Sequence, residues 1–190
     1  MSLAVRGRPS SRERILEAAA ELVREIGAGR LTLDAVAERA GLSKGGLLYN
    51  FPSKDALLQG MLERMIEEVS AQKAALRVEL KGRRNAEVLA SIEAALKTRC
   101  DQMKGFASGL LAASAENPSL LEPARKAIKE EWTSIKATSD DPEAAMLAWL
   151  AIEGLSSLEM HDLSPVSKPD RDIVITAVRR LLERGLCPGG

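Results

Sequence analysis

The sequence predicts an all-α chain of about nine helices, and three observations carry that expectation. Apolar residues recur at helical spacing along nearly the whole chain, and no stretch alternates in the manner of a strand. Only 3% of residues are aromatic, while Ala, Leu and Glu abound, which disfavours large sandwiches and barrels. At 190 residues, 45% hydrophobic and 28% charged, the chain is composed like an ordinary globular protein and unlike a disordered one.

The elements follow in order. Residues 1–9 (MSLAVRGRP) are small, basic and interrupted by Gly7 and Pro9, as suits a mobile arm. Ser10 and Glu13 form a capping box that opens the first helix. Its apolar stripe is Ile15, Ala18, Ala19, Leu22, Val23 and Ile26, and Gly27 and Gly29 end it. Thr32 caps a second, short helix with Asp34 in its first turn, Leu31 stapled against Val36, and Gly41 as its stop. Ser43 caps a third, with Leu42 stapled to Leu47. Pro52 ends it, because the residue before a proline is pushed out of helical geometry. Ser53 caps a fourth, whose stripe is Leu57, Leu58, Met61, Leu62, Met65, Ile66 and Val69.

Gly82 breaks the chain. Helices are then expected over roughly 85–104 and 105–115, with a turn at Asn117-Pro118. Another helix is centred on Ile128 and Trp132. Asp140-Asp141-Pro142 starts a very apolar one that runs through Leu158. Pro165 to Pro169 reads as a loop, and a last helix covers about 170–184, ended by Gly185. The division expected is a domain over 1–52 and a larger one over 53–190.

Composition also excludes chemistry. His161 is the one histidine, so multi-histidine metal sites are out, and no metal or cofactor is expected. Cys100 and Cys187 are far apart with no CxxC spacing, and read as free thiols of a reducing cytosol. No window reaches ~18 uninterrupted apolar residues, and the basic N-terminus lacks the apolar core of a secretory signal. A soluble, cytoplasmic protein with no membrane partner is therefore expected. Lys+Arg and Asp+Glu are both 27, so any affinity for a polyanion must come from uneven placement of charge.

That unevenness occurs around residues 32–54. Two short helices joined by AERAGLSKGG have the form of a helix-turn-helix, with Gly41 supplying left-handed geometry and Leu42 plugging the corner. Lys44 and Lys54 each stand at a helix start, where the macrodipole disfavours a cation by ~0.3–1 kcal/mol. A phosphate lying across both starts would compensate them. Thr32 and Ser43 add hydroxyls at helix N-termini, and Tyr49 and Asn50 on the third helix can reach a backbone or base edge. Arg6, Arg8, Arg12 and Arg14 add positive charge upstream.

The segment TLDAVAERAGLSKGGLLYNFPSKDALL resembles the signature of TetR-family transcriptional repressors, and the likeness extends over residues 10–60 with the preceding helix ILEAAAELVREIG. The resemblance implies a homodimer on a palindromic double-stranded operator, with a helical C-terminal domain that accepts a small-molecule effector. It puts Lys44, Gly45, Gly46, Tyr49 and Asn50 on a recognition helix, and Thr32, Tyr49 and Lys54 on phosphates. This sequence departs from the family pattern at Gly46, where Thr or Ser is frequent, and at Asn50, where His is frequent. Two successive glycines weaken the helix by ~1 kcal/mol each against alanine, so it is expected to firm up on DNA.

The last two helices are apolar nearly all round and must be covered on every side. Leu150, Gly154 and Leu158 on one, with Val174, Val178 and Leu181 on the other, are expected to form an isologous four-helix interface between two chains. The alternative is that they close the monomer's own core. Met65, Met103, Phe106, Trp132 and Trp149 are the soft and aromatic residues that would line a largely apolar effector pocket, against the competing account of plain core packing. Glu153, Glu159, His161 and Asp162 are candidate polar hooks.

Two other function classes fare worse. A helical enzyme would need a nucleophile or acid–base pair, yet Cys100 has no histidine near it in sequence and no Gly-rich phosphate loop occurs. A dimeric interaction protein that has lost DNA binding finds support only in the paired glycines.

Overall fold

The structure, a computed structural model, describes residues 10–97 and 100–186, side chains excepted at 100–104. The basic arm with Arg6 and Arg8, the Met103 side chain and the thiols of Cys100 and Cys187 lie outside the described residues. Among the described residues there are nine α-helices, two 3-10 turns and no strand. The all-α expectation holds.

The chain gathers into two compact units. The first takes the residues through Arg64 together with Gly105–Pro123. It contains α1 (Ser11–Ile26), α2 (Leu33–Ala40) and α3 (Lys44–Asn50), with the start of α4 (Lys54–Glu79) and most of α6 (Cys100–Glu116). Every cap read from the sequence here forms. Glu13 N–H donates to Ser10 Oγ and Ser10 N–H to the Glu13 carboxylate at 2.6 Å, the two halves of the capping box. Thr32 Oγ1 accepts from Ala35 N–H and Ser43 Oγ from Gly46 N–H. Gly41 ends α2 at φ 63°, ψ 41°, the left-handed geometry that costs a Cβ-bearing residue and lets the chain turn at once into α3. The stripes of α1 and α2 turn inward. Ile15, Ala19, Val36 and Leu47 are all fully buried, and Leu57 and Leu58 of α4 join them.

Two helix boundaries differ from the sequence expectation, the first at α6. The helix expected from about 105 is α6, which is already helical at Cys100, after α5 (Ala86–Lys97), and runs through Gly105 and Gly109. These glycines read as a helix breaker by propensity alone. Packing overrides that reading, because a Cβ on Gly109 would sit 2.3 Å from the Ala28 Cβ. Glycine is what lets α6 touch the turn after α1.

The second unit takes Met65–Lys104 and the residues from Ala124 on. Its core joins α5, α7 (Glu122–Thr138), α8 (Pro142–Met160) and α9 (Lys168–Arg184) through Val88, Ile92, Ile135, Ala148, Ile152, Val178 and Leu182. Asp141 caps α8 through Ala144 N–H as expected. The last helix begins earlier than predicted, with Ser167 as its cap and Pro169 inside the first turn, a position where the missing N–H does no harm. Asn85, buried and at φ 55°, is a polar node that sequence patterns did not reveal. Its side chain donates to Leu182 C=O at 2.9 Å and accepts from Asp140 N–H at 3.0 Å, so three chain segments meet on one amide.

Candidate nucleic-acid interface

The residues singled out around 32–54 all belong to the first unit. α3 is a complete helix despite Gly45 and Gly46, because Ser43 caps its start, Leu47 buries its inner side and Asn50 Nδ2 donates to Gly46 C=O at 2.9 Å. With that face anchored, its opposite side is presented outward. Tyr49 is 91% exposed, the most exposed large apolar side chain among the described residues. Large aromatic rings are seldom left in water without a partner to take them. Gly45 is exposed too, and a Cβ built on it would meet no atom within 4 Å.

The caps keep a free function. Thr32 and Ser43 are exposed, and each hydroxyl oxygen accepts from its own helix. The hydroxyl proton of each remains available to an outside oxygen. Thus two short helices offer O–H donors at their N-terminal ends, where the macrodipole favours an anion.

The lysines stand differently from the expectation. Lys44 Nζ lies 2.9 Å from the Asp34 carboxylate, and Lys54 Nζ donates to Gly29 C=O at 3.0 Å. The compensation expected from a phosphate is therefore available inside the chain. Both partners lie 10 and 25 residues away, beyond the reach of a local motif. The Lys44–Asp34 pair is 64% and 70% exposed, and an ion pair so solvated contributes only ~0–1 kcal/mol. It can exchange for a phosphate at little cost.

The upstream arginines are also engaged. Arg14 donates to Ala40 C=O at 2.6 Å and Gly41 C=O at 3.3 Å, placing its charge on the negative end of α2. Arg12 sits 5.2 Å from the Phe51 ring centroid and pairs with Glu63 at 3.5 Å. Both brace the helix-turn-helix instead of adding free charge. Arg39 does the same between α2 and α1, bonding Glu25 at 2.8 Å and Glu21 at 3.3 Å. Those carboxylates hold its guanidinium even more firmly protonated than usual.

The other predicted residues divide between the units. Phe106 is buried in the first, whereas Met65, Trp132 and Trp149 belong to the second, where the two indoles meet at 5.4 Å and 58°. On the second unit's surface, Leu147, Leu150 and Leu158 of α8 are 50%, 51% and 39% exposed, with exposed Ala151 and Gly154 between them. That spacing of three and four residues is a single helix face. Ile173 of α9 is 62% exposed, while Val174 and Leu181 are partly covered. Val178 turns inward, 6% exposed within the second unit's own core. Among the described residues, no group of three or more His, Cys, Asp or Glu is arranged to hold a metal ion, and no helix is long and apolar enough to cross a membrane.

Known proteins resemble the chain along most of its length. The family model for bacterial regulatory proteins of the tetR family matches residues 15–61, and that for the tetracyclin repressor-like C-terminal domain matches residues 85–183. A nucleoid occlusion factor, SlmA, of Aliivibrio fischeri (strain MJ11) is 35% identical over 63 residues, 33% of this chain. The chain thus spans about a third (32%) of the length of that relative. A transcriptional regulator from Rhodococcus sp. Rha1 shares the fold at TM-score 0.72 and 20% identity, over 93% of this chain and 97% of its own. A transcriptional regulator from Saccharomonospora viridis, in complex with choline, does so at TM-score 0.69 and 21% identity, over 92% and 96%.

Proposed function

This chain belongs to the TetR family of bacterial transcriptional regulators, DNA-binding proteins rather than enzymes, and from that premise we propose a ligand-released repressor that grips a palindromic operator as a homodimer. The observation that carries the reading is the outer side of α3. It combines a wholly exposed Tyr49, a bare Gly45 and a weakly paired Lys44 on a helix whose inner side is locked by Leu47. α3 enters the major groove, where Gly45, Gly46, Tyr49 and Asn50 face base edges or the adjoining backbone. Thr32, Ser43, Lys44 and Lys54 take phosphates. Residues 1–52 are the DNA-binding part and 53–190 the effector and dimerisation part.

Dimerisation follows from the apolar face left on the second unit. Leu150, Gly154 and Leu158, with Val174 and Leu181 at the edge, form an isologous contact with the same face of a second copy. The two recognition helices then stand about one turn of DNA apart, ~34–36 Å, and read successive major grooves. An effector need only alter that separation to prevent both from docking together. α4 is the lever, because it starts at Lys54 and carries residues of both units. The effector is a small, largely apolar molecule, with Trp132 and Trp149 at its site. Capture of choline by the Saccharomonospora viridis regulator supports an effector of small-molecule size.

Selection of bound sequences from random duplex DNA tests the reading, followed by titration of the winner across salt. A palindromic consensus is expected, with log K falling steeply against log salt. Absence of any enriched sequence, together with a monomer in sedimentation, would overturn it.

A further inference from the structure

Three charged side chains from three helices interact inside the second unit: Lys73 of α4, Glu131 of α7 and Glu153 of α8. Lys73 Nζ and Glu131 Oε1 lie 2.6 Å apart, their side chains only 16% and 14% exposed. Glu153 is close enough to feel both. Burial pushes its carboxyl above the usual range, Glu131 adds to that, and Lys73 opposes it. No hydrogen-bond donor among the described residues serves the Glu153 carboxyl. One ammonium therefore faces two carboxylates, and the cluster is short of one positive charge. A largely buried carboxylate with only a shared cation is costly, and such groups are normally paired.

A second observation stands beside it. Trp149 is 8% exposed, and its indole N–H has no acceptor. It lies four residues before Glu153 on α8, and residues so spaced share a helix face. Its ring meets Trp132, which follows Glu131 on α7. A carboxyl that shares its one cation with Glu131, a donor lacking an acceptor and two aromatic rings thus lie together on α7 and α8. Trp132 and Glu153 are both partly exposed, so the cluster can be reached from outside. Positive charge is attracted to aromatic faces as well as to carboxylates, and among aromatic residues tryptophan is the strongest such partner.

We propose that this α4–α7–α8 cluster binds an organic cation, with its positive nitrogen or phosphorus centre on Glu153, its apolar body against Trp132 and Trp149, and an acceptor atom, where it has one, on the Trp149 N–H. The inference rests on the effector reading above and adds the charge of the effector to it. A metal ion is the wrong occupant, because Glu131 is already engaged by Lys73 and no third metal-binding side chain joins Glu153 among the described residues.

The chain has two tryptophans, both in this cluster, so intrinsic fluorescence reports on it directly. The full chain is titrated with benzyltrimethylammonium, with tetraphenylphosphonium and with tetraphenylborate, the last two being nearly the same shape with opposite charge. Saturable quenching by the cations is expected, with tetraphenylborate at least tenfold weaker. Glu153→Gln, which keeps volume and removes charge, should weaken tetraphenylphosphonium at least tenfold and close the gap between the two ions. No saturable quenching by either cation, borate binding as tightly as phosphonium, or unchanged affinity in Glu153→Gln each overturns the proposal. Should that variant fail to fold by circular dichroism, the comparison of the two ions on the unaltered chain still decides. Operator affinity measured in the same samples separates the two readings. A cation held at Glu153 with no loss of operator binding sinks the effector role and keeps the site. Operator release by a neutral or anionic compound, with no cation bound, does the reverse.

Discussion

Replacing Gly45 by alanine separates what stabilises α3 from what the helix is for. Gly45 is the second residue of α3, after Ser43 and Lys44, and an added Cβ meets nothing within 4 Å. No steric penalty opposes the change. Glycine within a helix is about 0.5–1 kcal/mol less favourable than alanine, so the variant should be more stable by that amount. In a chain of this size 1 kcal/mol corresponds to about 2–4 °C, and Tm should rise by roughly 1–4 °C. Nothing inside the chain rewards the glycine. On the proposed interface the reward is close approach: Gly45 lies next to Lys44 and one turn before Tyr49, on the side offered to the groove. A methyl there holds the helix away from the bases, and a loss of about tenfold in operator affinity, ~1.4 kcal/mol, is expected. Affinity for a scrambled duplex, which rests on phosphates, should fall much less. Fluorescence anisotropy on both duplexes, beside a thermal melt, reads all three quantities. A variant that melts higher yet holds the operator as tightly as the parent would refute the reasoning.

Lys54→Ala should weaken binding to every duplex alike and flatten the salt dependence by about one unit of slope, since one phosphate contact is lost. Its bond to Gly29 C=O is a single exposed contact, so the melt should hardly move; an unchanged slope removes Lys54 from the phosphate set. Leu150→Glu puts a charge on a side chain already 51% exposed, so the helical signal should persist while sedimentation shifts from dimer to monomer and operator binding is lost. A dimer of parental strength would show that this face is not the contact. Burial pushes the Glu153 carboxyl above the usual carboxylate range. A raised acid holds its proton longer in the folded state, so its contribution to stability is present below the unfolded value and lost as pH rises through the folded one. Glu153→Gln should therefore stabilise the chain at pH 7 in urea unfolding, with the advantage shrinking as pH falls through the raised folded value and lost below about pH 4.5. An advantage that grows in acid would reverse the assignment.

Much of the first unit was legible residue by residue. The Ser10–Glu13 box, the Thr32, Ser43 and Ser53 caps and the Gly27 and Gly41 stops all form where the sequence puts them. The candidate recognition residues were legible as positions on α3, because helical phase alone sets which of them oppose buried Leu47. Their electrostatic state was not legible. Lys44, Lys54, Arg12 and Arg14 all read as free positive charge, yet each has a partner in the folded chain. Long cationic side chains reach several ångströms, and their partners come from whichever element tertiary packing brings alongside. The Lys73–Glu131 pair, 58 residues apart, went unnoticed for the same reason.

The sequence by itself determined the helices and most of their ends, the helix-turn-helix and the apolar character of α8 and α9. Caps, stops and periodicity act within one or two turns, so four or five neighbouring residues suffice to specify them. Only the tertiary structure decided that Gly109 continues α6 against Ala28 and that Val178 faces inward while Leu150 faces out. It alone also brought Glu153 beside Glu131 and Lys73. Those outcomes depend on contacts between elements distant in the chain, where close packing and desolvation outweigh the local preference of any one residue.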